Sequence, residues 1–416
     1  MMEFAERAVP GTVAVAARDV RFLRWLAVEP PVTVAFETVP LDRHRVRIVV
    51  QGYAQAEIEL APGYPPAPPP WPAPPVERRP LLSGEQMYQQ RWMFHGPEYQ
   101  GVSEIGGIGD RHVHGVITTP AAPGSLLDNA GHFVGYWTLE ELQRNSRTFP
   151  ERFGELRFYA TAPTAGERVR CLAFIEEVTD AAVIARLQLV REDGTVWAQV
   201  HGWQLHRFAS DDRIRAVERF GGTALLGERQ EGGWFLVREA WSDLASRELI
   251  ARSYLTRDEW AEYEGRPPRD RRPWLLGRLA CKDAVRAVLL GTDRPSVFPK
   301  ELTAAEDAGG TPRVIGRHGL QLPALDVAVA YSGTVGVALV RPAGGAGGAG
   351  IAVLEIGPDR DDTRRQAMAA ALNQAEGRTG PAGTGSRPVR TATLSDGDSE
   401  YVVAWTDVQA TGKDSS

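Results

Sequence analysis

The sequence predicts an α+β fold, and three observations carry that prediction. Apolar and polar residues alternate with a period of two: Val46, Ile48 and Val50 alternate with their neighbours, and Ala54, Ala56, Ile58 and Leu60 continue the pattern. One long helical stretch, residues 125–144, interrupts a series of such strands, with Leu126, Ala130, Phe133 and Trp137 at helical spacing. From Leu255 onward the pattern turns helical before it returns to strands. A single long helix flanked by antiparallel strands predicts a sheet wrapped around that helix.

The elements follow in order. Strands are expected at residues 12–20, 32–37 and within 45–60, three or so in all. Residues 62–75 then read PGYPPAPPPWPAPP, nine prolines in fourteen positions. Such a run cannot pair in a sheet or continue a helix, and it favours an extended polyproline form reaching roughly 40 Å. It reads as a semi-rigid crossover, with a ligand for a proline-binding partner as the alternative. Further strands are expected at 88–102, 112–119, 156–159, 168–177, 183–191 and 195–208, with Asp193-Gly194 as a hairpin turn. Residues 211–246 carry little pattern. Helices are expected at 256–264 and 271–290, the latter offering Leu275, Leu276, Leu279, Ala284 and Val288 to a core. Strands at 327–340 and 351–356, a helix at 363–376, and a hairpin of 389–394 with 401–405 around Asp396-Gly397 complete the chain. The glycine-rich stretches 344–350 and 377–386 read as flexible loops, and 407–416 as a disordered tail.

Composition excludes several classes. The 416 residues are 43% hydrophobic and 24% charged, enough apolar material for a sizeable core. A net charge of -6 gives no global electrostatic argument for nucleic acid or an anionic membrane. Cys171 and Cys281 are the two cysteines. So few thiols, so far apart, point to a reducing cytoplasm and exclude a disulfide framework or a cysteine zinc site. No apolar run has the length of a membrane span, and the N-terminus carries no signal-peptide pattern. A cytoplasmic protein is expected.

The stretch 123–137, PGSLLDNAGHFVGYW, is the most informative. Asp128 and His132 are four apart and share a helix face. Gly131 and Gly135 lie beside them, each costing about 1 kcal/mol relative to alanine inside a helix. That cost is explained if something approaches the helix closely, as a substrate chain would. A second reading stays open: Ser125 followed by Asp128 matches a helix-capping pattern, and His132 could be a hydrogen-bonded core histidine.

The segment from Tyr88 to Trp137 resembles the second hot-dog unit of a polyketide-synthase dehydratase. The residues that carry this are Tyr88, the run Phe94-His95-Gly96-Pro97-Glu98-Tyr99-Gln100-Gly101, and Leu127-Asp128-Asn129-Ala130-Gly131-His132, which matches the family's D-x-x-x-Q/H helix motif. Phe149-Pro150, the run 166–170, and Asp193-Gly194-Thr195-Val196-Trp197-Ala198 through Gly202-Trp203 are similar to the branch in enediyne and polyunsaturated fatty-acid synthases. The resemblance implies loss of water from a 3-hydroxyacyl chain held by phosphopantetheine on an acyl carrier protein, with no cofactor. Asp128 would protonate the leaving hydroxyl, and its pKa would have to be raised by burial. His132 would orient it, and Gly131, Gly135 and Tyr99 would line the substrate channel. Other synthase subunits and a homodimer are the implied partners.

The family's base histidine, in H-x-x-x-G-x-x-x-x-P, is not found among the eight histidines. His112 and His114 are expected at the surface, and His44 is a weak substitute base. The chain therefore reads as a first unit truncated before its base. Residues 274–286, WLLGRLACKDAVR, resemble a helix of 4'-phosphopantetheinyl transferases, which implies coenzyme A contacts at Arg278 and Lys282. An amphipathic basic helix is the plain alternative. In the strand 350–356, Ala352 and Leu354 stand where that family's magnesium-binding acids belong, and Tyr331 stands where it has histidine. Coenzyme A and magnesium would matter only if this domain were active, and no metal site is expected.

The expected organisation is a partial first hot-dog unit (1–61), a proline-rich linker (62–80), a second, dehydratase-like unit (81–210), a connector (211–248), an α/β transferase-like domain (249–406) and a tail (407–416). The expected function is a dehydratase-like step in polyketide or polyunsaturated fatty-acid-like biosynthesis. A phosphopantetheinyl transferase and a non-catalytic carrier-protein docking module are the alternatives.

Overall fold

The computed structural model describes residues 1–24, 26, 31–72, 74, 78–142, 147–208, 211–239, 241, 243–292, 294, 296–307, 310–344, 348–376 and 388–407. The chain divides into two compact units, Met1–Ala209 and Ser210–Ser416. The architecture is mixed α+β, as the sequence predicts.

The first unit contains α1 (Met2–Ala8), β1 (Val13–Phe22), β2 (Phe36–Pro40), β3 (Arg45–Val50), β4 (Ala54–Ala61), α2 (Gly84–Gln89), β5 (Val102–Gly109), β6 (His112–Thr118), α3 (Ser125–Glu141), β7 (Arg147–Phe158), β8 (Arg168–Val178), β9 (Ala182–Arg191) and β10 (Val196–Phe208). All ten strands form one sheet in the order β2-β3-β4-β1-β7-β10-β9-β8-β6-β5. The antiparallel pairing of β1 with β7 joins a four-stranded part to a six-stranded part. Arg18 and Arg157 clasp this seam by each bridging Glu59 and Glu155, at 2.8–3.3 Å. The short helix α1 packs on β1 to β4, and the long helix α3 packs on β5 to β9. Both parts share one apolar core, from Ala5 and Ile48 through Phe133 and Trp137 to Trp203.

Helix α3 forms where its pattern predicts. Gly124, at φ 78°, turns the chain into it. Leu126, Ala130, Phe133 and Trp137 are buried, and each large side chain so buried stabilises the unit by roughly 1.5–3 kcal/mol. Trp137 Nε1 donates to Gly109 O at 2.9 Å, which satisfies its one polar atom. The Asp193-Gly194 turn closes β9 onto β10 as expected, with Asp193 Oδ1 accepting from Thr195 N at 2.8 Å.

The structure corrects several expectations. Residues 88–102 are not a strand. They begin inside α2, whose Ser83–Gln86 capping box fixes a helical start, and continue through a 3-10 turn at Pro97–Tyr99 before β5. Gly84 permits this packing, because a Cβ there would lie 2.4 Å from Val102 O. The strand expected at 156–159 starts much earlier, at Arg147. The first sixty residues hold four strands rather than three, since a turn at Gly52 (φ 79°) folds 45–61 into the β3–β4 hairpin. His112 is buried rather than at the surface. The proline-rich segment is not a free spacer. Trp71 N donates to Gln188 Oε1 at 2.6 Å, and the indole packs against Phe174 and under Arg186, so the segment lies along β8 and β9.

The second unit contains α4 (Asp212–Arg219), β11 (Glu228–Arg229), β12 (Phe235–Arg238), α5 (Leu244–Tyr254), α6 (Arg257–Gly265), α7 (Pro268–Leu290), β13 (Leu302–Glu306), β14 (Pro312–Gly316), β15 (Leu325–Ser332), β16 (Val335–Pro342), β17 (Ile351–Glu355), α8 (Arg360–Glu376), β18 (Val389–Asp396) and β19 (Ser399–Thr406). Its sheets run β11-β12-β16-β15, β13-β14 and β17-β19-β18. Helix α7 covers β12, β15 and β16, and α8 covers β17, β18 and β19. Residues 211–248, read as a connector, belong to this unit, because β12 hydrogen-bonds to β16. The 327–340 stretch folds as two strands, β15 and β16, rather than one. Leu289 rather than Val288 completes the buried face of α7. The loop expected at 377–386, most of the tail and part of the 344–350 loop lie outside the described residues. Among the described residues, no helix is long and apolar enough to cross a membrane.

Candidate active site

The first unit gathers His95, Asp128 and His132. Asp128 and His132 project from one face of α3, one turn apart, and His132 Nε2 lies 3.2 Å from Asp128 Oδ2. His95, in the segment between α2 and the 3-10 turn, places its Nε2 3.4 Å from the same oxygen. Its ring lies over that of His132, with centroids 4.0 Å apart. The Asp128 side chain is 39% exposed, His95 16% and His132 3%. Asp128 is thus reachable from solvent, whereas burial was expected. It does not cap its helix: the N-cap is Gly124, and Ser125 Oγ donates to Pro120 O.

A chain of hydrogen bonds fixes this geometry. Asn129 Nδ2 donates to Ser125 O at 2.8 Å and to Tyr99 O at 3.0 Å. Its Oδ1 therefore accepts, from Gly101 N at 2.7 Å and from the Tyr88 hydroxyl at 3.0 Å. With its one proton given to Asn129, the Tyr88 oxygen accepts from Val102 N at 3.1 Å and from His132 Nδ1–H at 3.0 Å. That tautomer turns the Nε2 lone pair of His132 toward Asp128. At 3.2 Å from Oδ2, the His132 ring holds the Asp128 carboxyl in place on the helix face.

His95 is held differently. Burial, His132 and Arg147 push its pKa down to about 4 against a smaller opposing pull from Asp128, so the ring is neutral near pH 7. Its buried Nδ1 has no hydrogen-bond partner among the described residues. Burial also raises the pKa of Tyr88 well above its usual range, which keeps the phenol a proton donor.

The two glycines of α3 are explained by packing. A Cβ on Gly131 would meet the Trp203 ring at 3.0 Å, and one on Gly135 would meet Met93 Cε at 3.1 Å. The close approach read from them as a substrate channel is made here by these two side chains. The Tyr99 hydroxyl donates to Pro123 O at 3.4 Å. His44, the weak substitute base, sits in an exposed turn, where its amide donates to Asp42. Sequence reasoning quoted His95 only as part of a motif and did not single out Tyr88 or Asn129 for roles.

His95, Asp128 and His132 are also one donor set for a metal, their ligand atoms all within 4.8 Å of one another. Among the described residues it is the only such group, and none lies in the second unit. There Lys282 is fully buried and donates to Glu259 Oε2 at 2.6 Å and Tyr254 O at 2.7 Å, which removes its ammonium from any phosphate. Arg278, nearly buried, lies over Trp274 and within 3.5 Å of Glu262. The single acid of β17, Glu355, accepts from Ser399 Oγ.

The family model for the polyketide synthase dehydratase N-terminal domain matches residues 66–214. Comparison with curated proteins gave no match. Solved structures similar to the chain include the dehydratase domain of RzxB from Pseudomonas fluorescens, at 16% identity, 48% of this chain, 80% of that chain and a TM-score of 0.37. The dehydratase domain of a mycocerosic acid synthase-like polyketide synthase is 18% identical over 49% of this chain and 79% of that one, with a TM-score of 0.39. A trans-AT polyketide synthase dehydratase domain from Brevibacillus brevis is 15% identical over 47% and 76%, with a TM-score of 0.37. His95, Asp128 and His132 all fall inside the matched segment, and this part of the chain is a polyketide synthase dehydratase-like domain.

Proposed function

We propose that the first unit eliminates water from a 3-hydroxyacyl thioester carried on the phosphopantetheine arm of an acyl carrier protein. The observation that carries this reading is the contact of Asp128 Oδ2 with His132 Nε2 at 3.2 Å, beside a second imidazole, on a carboxyl that solvent can reach. Asp128 is the general acid. Its carboxyl gives a proton to the 3-hydroxyl as the C–O bond breaks, and His132, steadied through Tyr88 and Asn129, holds the carboxyl in place. The reaction needs no redox partner, since water and a 2-enoyl thioester account for every atom of the substrate.

The test is direct. The purified chain is mixed with 3-hydroxyacyl carrier protein, and the 2-enoyl thioester is followed by its ultraviolet absorbance and by mass. Asp128→Asn is expected to lower the rate by about 10²–10⁴-fold. A wild-type chain that binds the loaded carrier but never turns it over would instead identify a docking module. In the second unit, Lys282 and Asp283 are committed to buried ion pairs, so the reading places no chemistry there.

A further inference from the structure

Resting on the dehydratase reading, we propose that His95, Asp128 and His132 form a reversible site for a divalent zinc-like cation, and that the bound ion switches the unit off by taking the Asp128 carboxylate as a ligand. The pair on α3 supplies two ligands, too few to hold such an ion. The fold adds the third, His95, from the segment that follows α2.

The distances fit the ion. Zinc binds imidazole nitrogen and carboxylate oxygen at about 2.0–2.2 Å, so two ligand atoms of a tetrahedral site stand roughly 3.3–3.6 Å apart. Asp128 Oδ2 stands 3.2 Å from His132 Nε2 and 3.4 Å from His95 Nε2. Ligand atoms of the three residues all lie within 4.8 Å of one another. Two imidazoles with one carboxylate suit zinc or cobalt, whereas magnesium and calcium take oxygen ligands. The Asp128 side chain is 39% exposed, so water can reach an ion there and complete its shell.

The surroundings prepare one ligand and leave another loose. An imidazole that binds a metal through one nitrogen is oriented by a hydrogen bond from the other. His132 has that bond: Nδ1–H donates to the Tyr88 hydroxyl at 3.0 Å, and Tyr88 is itself fixed by Asn129 Oδ1 and Val102 N. Its Nε2 lone pair is thereby turned toward Asp128. The Nδ1 of His95 has no such partner among the described residues. A site with one unrestrained ligand takes up and releases its ion, which suits a switch rather than a resident cofactor. Metal ligation requires the carboxyl to be deprotonated. An ion on Oδ2 therefore removes the proton that Asp128 would give to the 3-hydroxyl, and turnover stops while it stays.

The experiment titrates the untagged, metal-free full chain with cobalt(II) chloride, follows the visible absorption of tetrahedral cobalt, and then displaces the cobalt with zinc. The expected result is a band that saturates at one equivalent. His95→Gln and Asp128→Asn each lose it, and Tyr88→Phe weakens cobalt binding about 10–100-fold with an unchanged circular dichroism spectrum. Should His95→Gln misfold, Asp128→Asn, at a partly exposed position, carries the same test. Dehydration of 3-hydroxyacyl carrier protein is expected to fall as zinc binds and to return with a chelator, and in His95→Gln the ratio of the rates with and without zinc moves toward one. No saturable binding of either metal, a full cobalt band in Asp128→Asn, or a rate that rises with zinc overturns the proposal. A chain that binds the ion through these residues but never dehydrates loaded carrier protein defeats the dehydratase reading and the switch with it, whereas turnover indifferent to zinc defeats the switch alone.

Discussion

At His132, four hydrogen-bonded groups in series, Asn129, Tyr88, His132 and Asp128, set the orientation of one ring. Asn129 is the hub of that series, with all its polar atoms used and its side chain buried. Replacing Asn129 with alanine strands the amide of Gly101 and two carbonyls, and we expect a loss of about 3 kcal/mol in urea unfolding. His95 gives a second prediction at this scale. Its folded pKa of about 4 lies below the ordinary value of 6.5, so the unfolded chain takes up the proton first. The neutral ring therefore contributes no penalty above about pH 6.5, and stability falls as pH drops from there toward 4. We expect His95→Gln to flatten that fall by about 2 kcal/mol, measured by denaturant titrations across this range. The Asp128–His132 pair was legible in the sequence because i,i+4 spacing makes it local. His95 was not, because only the folding of the chain from α2 to β5 back over α3 brings it there. A histidine ahead of a Gly-Pro turn was the available signal.

Among the elements, α3 shows how much a glycine can hide. The Gly135 position lets Met93 lie against the helix, and two residues later the chain delivers His95. A methyl group at 135 would push on the flexible thioether, so the cost in stability is small, within about 1 kcal/mol after the gain in helix propensity. Met93 stands two residues before His95, so a displacement of its backbone would be felt at His95 and, through it, at Asp128. We expect Gly135→Ala to lose about tenfold in dehydration with a nearly unchanged melting temperature, and Met93→Ala in the same chain to recover part of the rate. The helix was legible from its apolar spacing. Helix α2 was missed although its Ser83-x-x-Gln86 capping box stands in the sequence, because alternation in the residues that follow imitates a strand. The length of β7 was missed because Pro150 and Gly154 interrupt its pattern, while its partners β1 and β10 hold it extended.

For the whole molecule, the two units invite separate perturbation. The second unit is built around buried charge: Glu259 receives Lys282, Thr256 and Ala304, and Asp283 receives Arg286, Tyr254 and the amides of Leu226 and Gly227. Removing one member of such a pair leaves the other uncompensated, at about 3–5 kcal/mol. We expect Lys282→Met to raise hydrogen exchange across α6 and α7 and to leave the peptides of α3 and β8 to β10 as in wild type. None of this was visible in residues 211–248, whose elements are short: β11 has two residues and β12 four. Their structure comes from β16, nearly a hundred positions away, and a local pattern cannot report a partner so distant.

The joint between β1 and β7 has a consequence of its own. Among the described residues it is the only hydrogen-bonded seam linking the two parts of the ten-stranded sheet, and four charged groups fasten it. Added salt shields those groups and favours opening of the joint. Each opened molecule would then present two bare margins of amides and carbonyls, each the complement of a margin on its neighbour, so that head-to-tail fibres grow with ionic strength as well as with concentration.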